Sequence, residues 1–189
     1  MRSRQSQRGG RDAGRGAWSS SSLYVRQSAC GDSSCAAQLK SVAAGCFWHV
    51  EDTFRTVEGV VSTEVGYEGG SLSHPSYADV CTDRTGHAET VRITYDSTKV
   101  SYDKLLETFF ALHDPTTVNR QGLDVGTQYR SVIFVSSPLQ REKAEALKAA
   151  LEKSGRFSRP IATEIIPSST FWRAEEYHQQ YYEKERGER

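Results

Sequence analysis

The sequence has no apolar run long enough to cross a bilayer, and its first residues lack the apolar stretch of a secretory signal. It also lacks net charge, since 24 Lys and Arg residues balance 24 Asp and Glu residues. No overall field therefore favours nucleic acid or an anionic membrane as a partner. Cysteine is sparse, with four in 189 residues, which is too few for a disulfide framework and more typical of reactive or metal-binding thiols in a reducing compartment. We expect a cytoplasmic protein that binds neither nucleic acid nor membrane.

Residues 1–36 differ from the rest of the chain. They contain six arginines against Asp12 and Asp32 as the only acids, they are rich in serine and glycine, and they show no apolar periodicity. Such a segment buries too little surface to offset its ordering entropy, so we predict a disordered basic tail followed by one folded domain over residues 37–189. An Arg- and Ser-rich segment poor in acids also suits a transit peptide, which would place the protein in a mitochondrion or plastid instead.

Apolar periodicity predicts strands and helices from Gln38 onward. The predicted strands are 41–44, 61–67, 91–95, 132–135 and 161–166, and the predicted helices are 47–57, 101–113 and 138–155. A loop rich in Ser, Pro and Tyr reaches Gly86, and residues 172–185 are predicted as a polar, aromatic helix or coil. The order β-α-β-β-α-β-α-β is typical of an α+β two-layer sandwich, here expected to have a ferredoxin-like core with helices packed on a mainly antiparallel mixed sheet.

Cys46 lies where the first predicted strand gives way to a helix, directly after Gly45. The first N–H groups of a helix have no partner inside the helix, and the helix dipole is positive there, so both favour a thiolate. Phe47 and Trp48 follow at once, and two aromatic rings beside a nucleophile can enclose a small methyl group. The alternative is a buried core cysteine among ordinary core aromatics, and position alone does not decide between the two.

Glu89 has the same strand parity as Val91, Ile93 and Tyr95, so its side chain is predicted to point to the apolar face of that strand. A carboxyl group in such a place resists ionisation and stays protonated near neutral pH. A neutral carboxylic acid suits chemistry that delivers a proton to a developing oxyanion. The alternative is an ordinary glutamate at a strand end that reaches water.

Six segments resemble the A-type peptide methionine sulfoxide reductases, in order along the chain. They are Gly45-Cys46-Phe47-Trp48 with Glu51, then 66–70 (GYEGG), 77–89 (YADVCTDRTGHAE), 113–116 (HDPT), 124–131 (DVGTQYRS) and 174–179 (AEEYHQ). The resemblance covers about residues 38–184, and the gaps between the segments match. Each motif alone is modest evidence, but together they favour this family over any other.

The resemblance implies an enzyme that reduces the S epimer of methionine sulfoxide to methionine, in oxidised proteins and as the free amino acid. Cys46 is the implied nucleophile at the sulfoxide sulfur, and Glu89 is the implied proton donor to the sulfoxide oxygen. Tyr77 and Tyr129 are expected to hydrogen-bond that oxygen as it gains charge.

The resemblance also implies how the substrate is held and how the enzyme is regenerated. Phe47 and Trp48 would pack around the terminal methyl group, and Asp124 would help to hold the site and its water. The product is a sulfenic acid on Cys46, which a thiol must reduce, supplied by thioredoxin or by glutaredoxin with glutathione. No metal and no organic cofactor is implied, and we expect a monomer.

Two features depart from the family pattern. His49 stands where relatives often have glycine, although no catalytic group is lost there. Residues 170–189 contain no cysteine, whereas many relatives carry recycling cysteines near the C-terminus. Three other thiols remain as candidates to resolve oxidised Cys46, namely Cys30, Cys35 and Cys81.

Cys35 is favoured narrowly over Cys30 as this resolving thiol. The 11 residues that separate Cys35 from Cys46 span roughly 36 Å when fully extended, so a flexible segment can fold back onto the site. Cys81 lies within the family motif, and we interpret it as structural or as a bystander. The alternative is an inert tail, with an outside thiol such as glutathione reducing Cys46 directly.

Two other classes of protein remain as alternatives. A zinc module would use Cys30, Cys35, Cys46 and His49 as ligands, but structural zinc usually supports domains with smaller cores than this chain can form. A thiol acyltransferase or hydrolase would pair Cys46 with His87, whereas the tyrosines of the family motifs suit a sulfoxide oxygen.

Overall fold

A computed structural model describes residues 37–187 of the protein. Its strands and helices are β1 (Ala37–Ala44), α1 (Phe47–Arg55), β2 (Val60–Glu68), α2 (Tyr77–Val80), β3 (Ala88–Asp96), α3 (Tyr102–Leu112), β4 (Arg120–Gln121), β5 (Asp124–Val125), β6 (Ser131–Val135), α4 (Pro138–Lys153), β7 (Glu164–Pro167), β8 (Trp172–Arg173) and α5 (Tyr181–Glu185). The predictions made for residues 1–36, including Cys30 and Cys35, lie outside the described residues.

Six strands form one mixed sheet in the order β7-β6-β1-β3-β2-β8. Strands β6 and β7 run parallel, and every other neighbouring pair in this sheet is antiparallel. All five residues of β6 are buried because its two faces pack into different apolar clusters. Ile133 and Val135 join the main core, while Val132 and Phe134 pack on the opposite face. The α+β prediction and the fully covered strand are therefore confirmed.

The main core lies between the sheet and helices α1, α3 and α4. Helix α1 contributes Phe47, Val50 and Phe54, at the helical spacing that predicted it. The Ser101 and Ser137 side chains accept hydrogen bonds from N–H groups of the first turns of α3 and α4, so these caps fix where both helices begin. Within the described residues, no helix combines the length and the apolarity that crossing a membrane requires.

The structure adds elements that the pattern did not predict. The polar loop before Gly86 contains α2, which Ser76 starts through a capping box with Asp79. Two short strands, β4 and β5, pair as a hairpin. Elements of two to four residues are too short for periodicity to be detected.

Two predicted segments have different boundaries. The strand predicted at 161–166 begins at Glu164, where parallel pairing with Val132 starts, and Ile161 is buried in the core before it. Residues 172–185 form β8, one turn of 3₁₀ helix and α5 rather than a single helix. Pairing with distant strands, which local sequence does not record, sets the boundaries of both segments.

The C-terminal segment is held to the sheet by side-chain hydrogen bonds. The Gln179 side chain accepts from the Val65 N–H and donates to the Val65 carbonyl oxygen, both at 2.9 Å. The Gln180 N–H donates to the buried Glu51 carboxylate at 2.8 Å. These contacts bring the residues after β8 against the start of α1.

Candidate active site

Cys46 stands at the junction of β1 and α1, where the chain turns sharply. Gly45 has a φ of +93°, which glycine adopts without steric cost. A Cβ atom at this position would also lie 2.8 Å from the Gln121 side chain. Cys46 is the N-cap residue of α1, without a side-chain cap hydrogen bond, and its side chain is half-buried.

The pKa of Cys46 is raised to about 11. Burial is the largest cause and the negative charges of Glu89 and Asp124 act in the same direction, while the Trp48 and His49 N–H groups lower the pKa. The expectation of a thiolate from the helix N-terminus is therefore wrong for the free protein, because burial and two carboxylates outweigh the helix. Protonation of Glu89 removes one of these causes, so the pKa of Cys46 depends on whether Glu89 is charged.

Glu89 is the second residue of β3 and is 2% exposed. The Phe47 N–H donates to Glu89 Oε2 at 3.1 Å, so the first turn of α1 fixes the carboxyl group close to Cys46. Burial and the charge of Asp124 raise the pKa of Glu89 to about 7, although the Phe47 hydrogen bond lowers it. Much of this carboxyl group is therefore protonated near neutral pH, as strand parity predicts.

Tyr77 and Tyr129, the tyrosine pair, come from segments on either side of β3. Tyr77 begins α2, and Tyr129 ends a 3₁₀ turn over Thr127–Tyr129. Burial raises the pKa of both hydroxyls, that of Tyr129 to about 12, and the charge on Glu89 adds to the effect in each. Both hydroxyls therefore remain hydrogen-bond donors throughout the neutral range.

Asp124 is carried to the site by the β4–β5 hairpin. Its side chain is exposed and lines the same cavity as Cys46. Its charge contributes to raising the pKa of Cys46, Glu89 and Tyr129. The structure thus brings all five residues predicted as catalytic into one electrostatically coupled group.

Phe47, Trp48, His178 and Tyr181 form an aromatic wall beside Cys46. The Trp48 indole stacks on Tyr181 with ring centroids 3.9 Å apart, and its Nε1–H donates to His178 Nδ1 at 3.1 Å. The Phe47 ring lies 5.1 Å from the His178 ring. The two predicted substrate-binding aromatics are therefore held in place by the C-terminal segment.

Sequence reasoning gave no role to His178 and Glu175, although the segment that contains them carried the family resemblance. The Glu175 carboxylate accepts from the Tyr67 hydroxyl at 3.0 Å and from the Tyr77 N–H at 2.9 Å. His178 Nε2 lies 3.9 Å from that carboxylate, and its ring is 1% exposed. Their three-residue spacing was the available local signal, but the partners Tyr67 and Tyr77 lie about 100 positions away.

Cys81 lies at the rim of the site. It is exposed, follows α2 directly, and hydrogen-bonds with the Tyr77 hydroxyl. Cys46 and Cys81 are both free thiols. In the part of the chain that the structure describes, no group of three or more His, Cys, Asp or Glu side chains is arranged to hold a metal ion.

His87 is buried and both of its ring nitrogens are engaged in the loop that precedes it. Nδ1 accepts from the Gly70 N–H at 3.1 Å, and Nε2 lies 2.8 Å from the Leu72 carbonyl oxygen. Neither nitrogen is free to act as a base for Cys46, so the acyltransferase or hydrolase alternative loses its second residue.

A cysteine nucleophile next to a largely protonated carboxyl group, on an α+β fold, defines a thiol enzyme. The model of the peptide methionine sulfoxide reductase family matches residues 38–189. MsrA of Methanoculleus marisnigri is 61% identical over 144 residues, which cover 76% of this chain and 88% of the relative. MsrA of Geobacter sulfurreducens is 58% identical over 76% of this chain and 89% of the relative. The chain belongs to the peptide methionine sulfoxide reductase family and is of the MsrA type.

Solved structures agree with this assignment. Reduced Mxr1 from Saccharomyces cerevisiae matches with a TM-score of 0.74 and 36% identity, covering 79% of this chain and 86% of its own. Methionine sulfoxide reductase A of Corynebacterium diphtheriae matches with a TM-score of 0.70 and 38% identity, covering 79% and 75%. Mxr1 in complex with Trx2 matches with a TM-score of 0.55 and 24% identity, covering 77% and 85%. The protein is therefore an oxidoreductase that reduces methionine sulfoxide.

Proposed function

We propose that this protein reduces the S epimer of methionine sulfoxide and that the oxygen leaves the substrate on Cys46, as a sulfenic acid. The observation that carries the proposal is the pairing of the Cys46 thiol with the buried Glu89 carboxyl, whose pKa is raised to about 7. A nucleophile and a proton donor thus meet at the first turn of α1, with an aromatic wall beside them.

In the proposed reaction the Cys46 sulfur attacks the sulfoxide sulfur while Glu89 protonates the sulfoxide oxygen. Tyr77 and Tyr129 donate hydrogen bonds to that oxygen as its charge grows. The bond that this attack forms between the two sulfurs then breaks together with the oxygen's bond to the methionine sulfur, and the oxygen bonds to the Cys46 sulfur. The methionine sulfur thus gains the two electrons that Cys46 loses. The thiol proton of Cys46 returns to Glu89, which leaves both groups ready for the next step.

Substrate contacts follow from the same arrangement. Phe47 and Trp48 enclose the terminal methyl group, and Asp124 helps to hold the site and its water. The indole of Trp48 is only half-buried, which supports access for methionine sulfoxide both in a protein chain and as the free amino acid.

We also propose that the core is ferredoxin-like and built in two layers. The connectivity β1-α1-β2-β3-α3-β6 and the order β6-β1-β3-β2 within the sheet support this. The main core between the sheet and α1 and α3 supports a helical layer on one face. Cys46 then lies at the first strand-to-helix connection of that repeat.

Thioredoxin, or glutaredoxin with glutathione, is the proposed reductant of oxidised Cys46. The complex of yeast Mxr1 with Trx2 supports the first of these. The expected monomer, and a cytoplasmic rather than a mitochondrial or plastid location, stay predictions.

Stereoselectivity tests the proposed function directly. With dithiothreitol as reductant, the protein is expected to consume the S epimer of a methyl aryl sulfoxide and to leave the R epimer. A pocket that places one epimer's methyl group on Phe47 and Trp48 and its oxygen at Glu89 cannot do both for the other. Chiral chromatography of the remaining sulfoxide measures the ratio, with a reaction lacking enzyme as control. Equal consumption of both epimers would contradict the proposal.

The resolving thiol can be identified by mapping disulfides. We propose Cys35, because the 11 positions between it and Cys46 are enough for its sulfur to come within bonding distance of Cys46. It then attacks the sulfenic acid. One equivalent of sulfoxide without reductant is expected to yield a Cys35–Cys46 disulfide, detected by non-reducing mass spectrometry, and Cys35→Ser is expected to yield none. A stable sulfenic acid, or a Cys46–Cys81 disulfide with Cys35 free, refutes this assignment.

A further inference from the structure

Cys46 also lines a cavity that it shares with Asp124 but not with the other residues of the proposed sulfoxide chemistry. The cavity has a volume of about 260 Å³ and is lined by Cys46, His49 and Thr53 from the start of α1, and by Gln121 and Asp124 from the β4–β5 hairpin. The aromatic wall, the tyrosine pair and Glu89 are not among its lining residues. The sulfur can thus be approached from a second direction.

His49 lines this cavity one helical turn after Cys46. Its side chain is exposed. Its ring meets Tyr182 of α5 edge-on, with centroids 4.9 Å apart, and Nε2 lies 2.9 Å from the Tyr182 hydroxyl. An imidazole is therefore held by Tyr182 beside the cavity that Cys46 lines.

We infer that His49, oriented by Tyr182, transfers protons in the second half of the reaction, when a thiol reduces oxidised Cys46. The inference rests on the proposed sulfenic acid. Residues 170–189 carry no cysteine, so the attacking thiol arrives from elsewhere and must lose its proton at the site. The His49 side chain is suited to accept that proton, because it is exposed to solvent and is not one of the residues of the proposed sulfoxide chemistry.

The step balances in atoms and electrons. The Tyr182 hydroxyl lies 2.9 Å from Nε2 and 3.4 Å from Nδ1. When Nε2–H donates to the Tyr182 oxygen, the Nδ1 lone pair takes the proton of the attacking thiol. The thiolate sulfur then bonds to the Cys46 sulfur, and the bond from Cys46 sulfur to oxygen breaks. The oxygen leaves with its own hydrogen and the proton from Nδ1, as water. The thiol sulfur is oxidised by one electron equivalent, the Cys46 sulfur is reduced by one, and His49 is neutral again.

The charged and titratable groups around His49 come from every element next to it. They are Cys46 and Asp52 of α1, Tyr182 of α5 with Arg186 after it, Asp124 of β5, and His113 at the end of α3. Arg186 pairs with Asp52 at 2.8 Å, which neutralises the nearest carboxylate.

The test uses the full chain with Cys30, Cys35 and Cys81 replaced by serine, so that Cys46 is its one thiol. One equivalent of methyl aryl sulfoxide is reduced without a thiol, and the burst of sulfide measures the first half of the reaction. Glutathione is then added, and trapping with dimedone followed by mass spectrometry gives the rate constant at which the sulfenic acid disappears.

His49→Gln keeps a side-chain hydrogen bond within reach of Tyr182 but cannot exchange a proton at neutral pH. It is expected to lower that rate constant about 100-fold and to change its dependence on pH. The matched control His74→Gln, at an exposed histidine outside the cavity, is expected to change neither. Imidazole in solution is expected to restore part of the rate to His49→Gly, since that variant leaves the space open.

Each other outcome is decisive. A wild-type regeneration rate in His49→Gln overturns the inference. A loss that is uniform over pH, with a smaller sulfide burst and a lower melting temperature, also overturns it, because that combination indicates a structural role. If the parent with His49 intact gives no burst and no dimedone adduct, the proposed function itself fails and the inference falls with it.

Discussion

Cys46→Ser is expected to abolish sulfoxide reduction, lowering the single-turnover rate by at least about four orders of magnitude, as removal of a nucleophile does in other enzymes. A serine oxygen keeps the position under the Trp48 and His49 N–H groups, but it cannot take up the sulfoxide oxygen and give two electrons. The measurement is sulfide formed from one equivalent of sulfoxide without reductant.

Two controls separate chemistry from folding. The variant should melt at a temperature close to that of the wild type, because the hydroxyl is smaller than the thiol and the Cys46 side chain makes no cap hydrogen bond that the change would remove. Cys81→Ser removes the other described thiol and should still give a burst of sulfide. Residual turnover by Cys46→Ser at more than a few per cent of wild type would mean that another group carries the oxygen.

Glu89→Gln is expected to slow the sulfoxide step by roughly 100- to 1000-fold, within the range of a positioned general acid. Glutamine accepts the same hydrogen bond from the Phe47 N–H but has no proton to give. The wild-type rate should fall as pH rises through about 7, where Glu89 loses its proton, and the variant should lack this decline. Single-turnover rates between pH 5.5 and 8.5 measure both effects.

The same variant should become more reactive in a different reaction. The Glu89 charge raises the pKa of Cys46, so its removal increases the thiolate fraction and should accelerate alkylation of Cys46 by iodoacetamide. Glu68→Gln, at a fully buried glutamate of the neighbouring strand, is the matched control for both reactions. If Glu89→Gln reduces sulfoxide at the wild-type rate, Glu89 is not the acid.

Sequence alone predicts those parts of this fold in which buried residues recur at a regular spacing. The spacing of Phe47, Val50 and Phe54 predicts α1, and the alternation from Glu89 to Tyr95 predicts both β3 and the buried carboxyl group. Helix α2 and the β4–β5 hairpin are too short to show such a spacing, although they carry Tyr77 and Asp124. Their place near Cys46 came from the family resemblance and not from any local pattern.

The ionisation state of Cys46 could not be predicted from the neighbouring residues, for a different reason. A helix N-terminus is a property of neighbouring residues, whereas desolvation and the charges of Glu89 and Asp124 arise when β3 and a distant hairpin close around the sulfur. His178 and Tyr181 were missed in the same way, since the Trp48 ring that they contact lies 130 positions earlier. Contacts between residues that lie far apart in the chain can be identified only from the structure.

The C-terminal segment is attached in a way that makes the activity easier to lose than the fold. Gln179 binds β2, the strand next to the edge strand β8, through one side chain, and Gln180 reaches Glu51 through its backbone. Strands β6, β1 and β3 therefore do not depend on either contact. Proteolytic removal of this segment would strip His178 and Tyr181 from Trp48 while leaving the four inner strands paired. A single proteolytic cut before this segment would thus remove the activity while the rest of the domain stays folded.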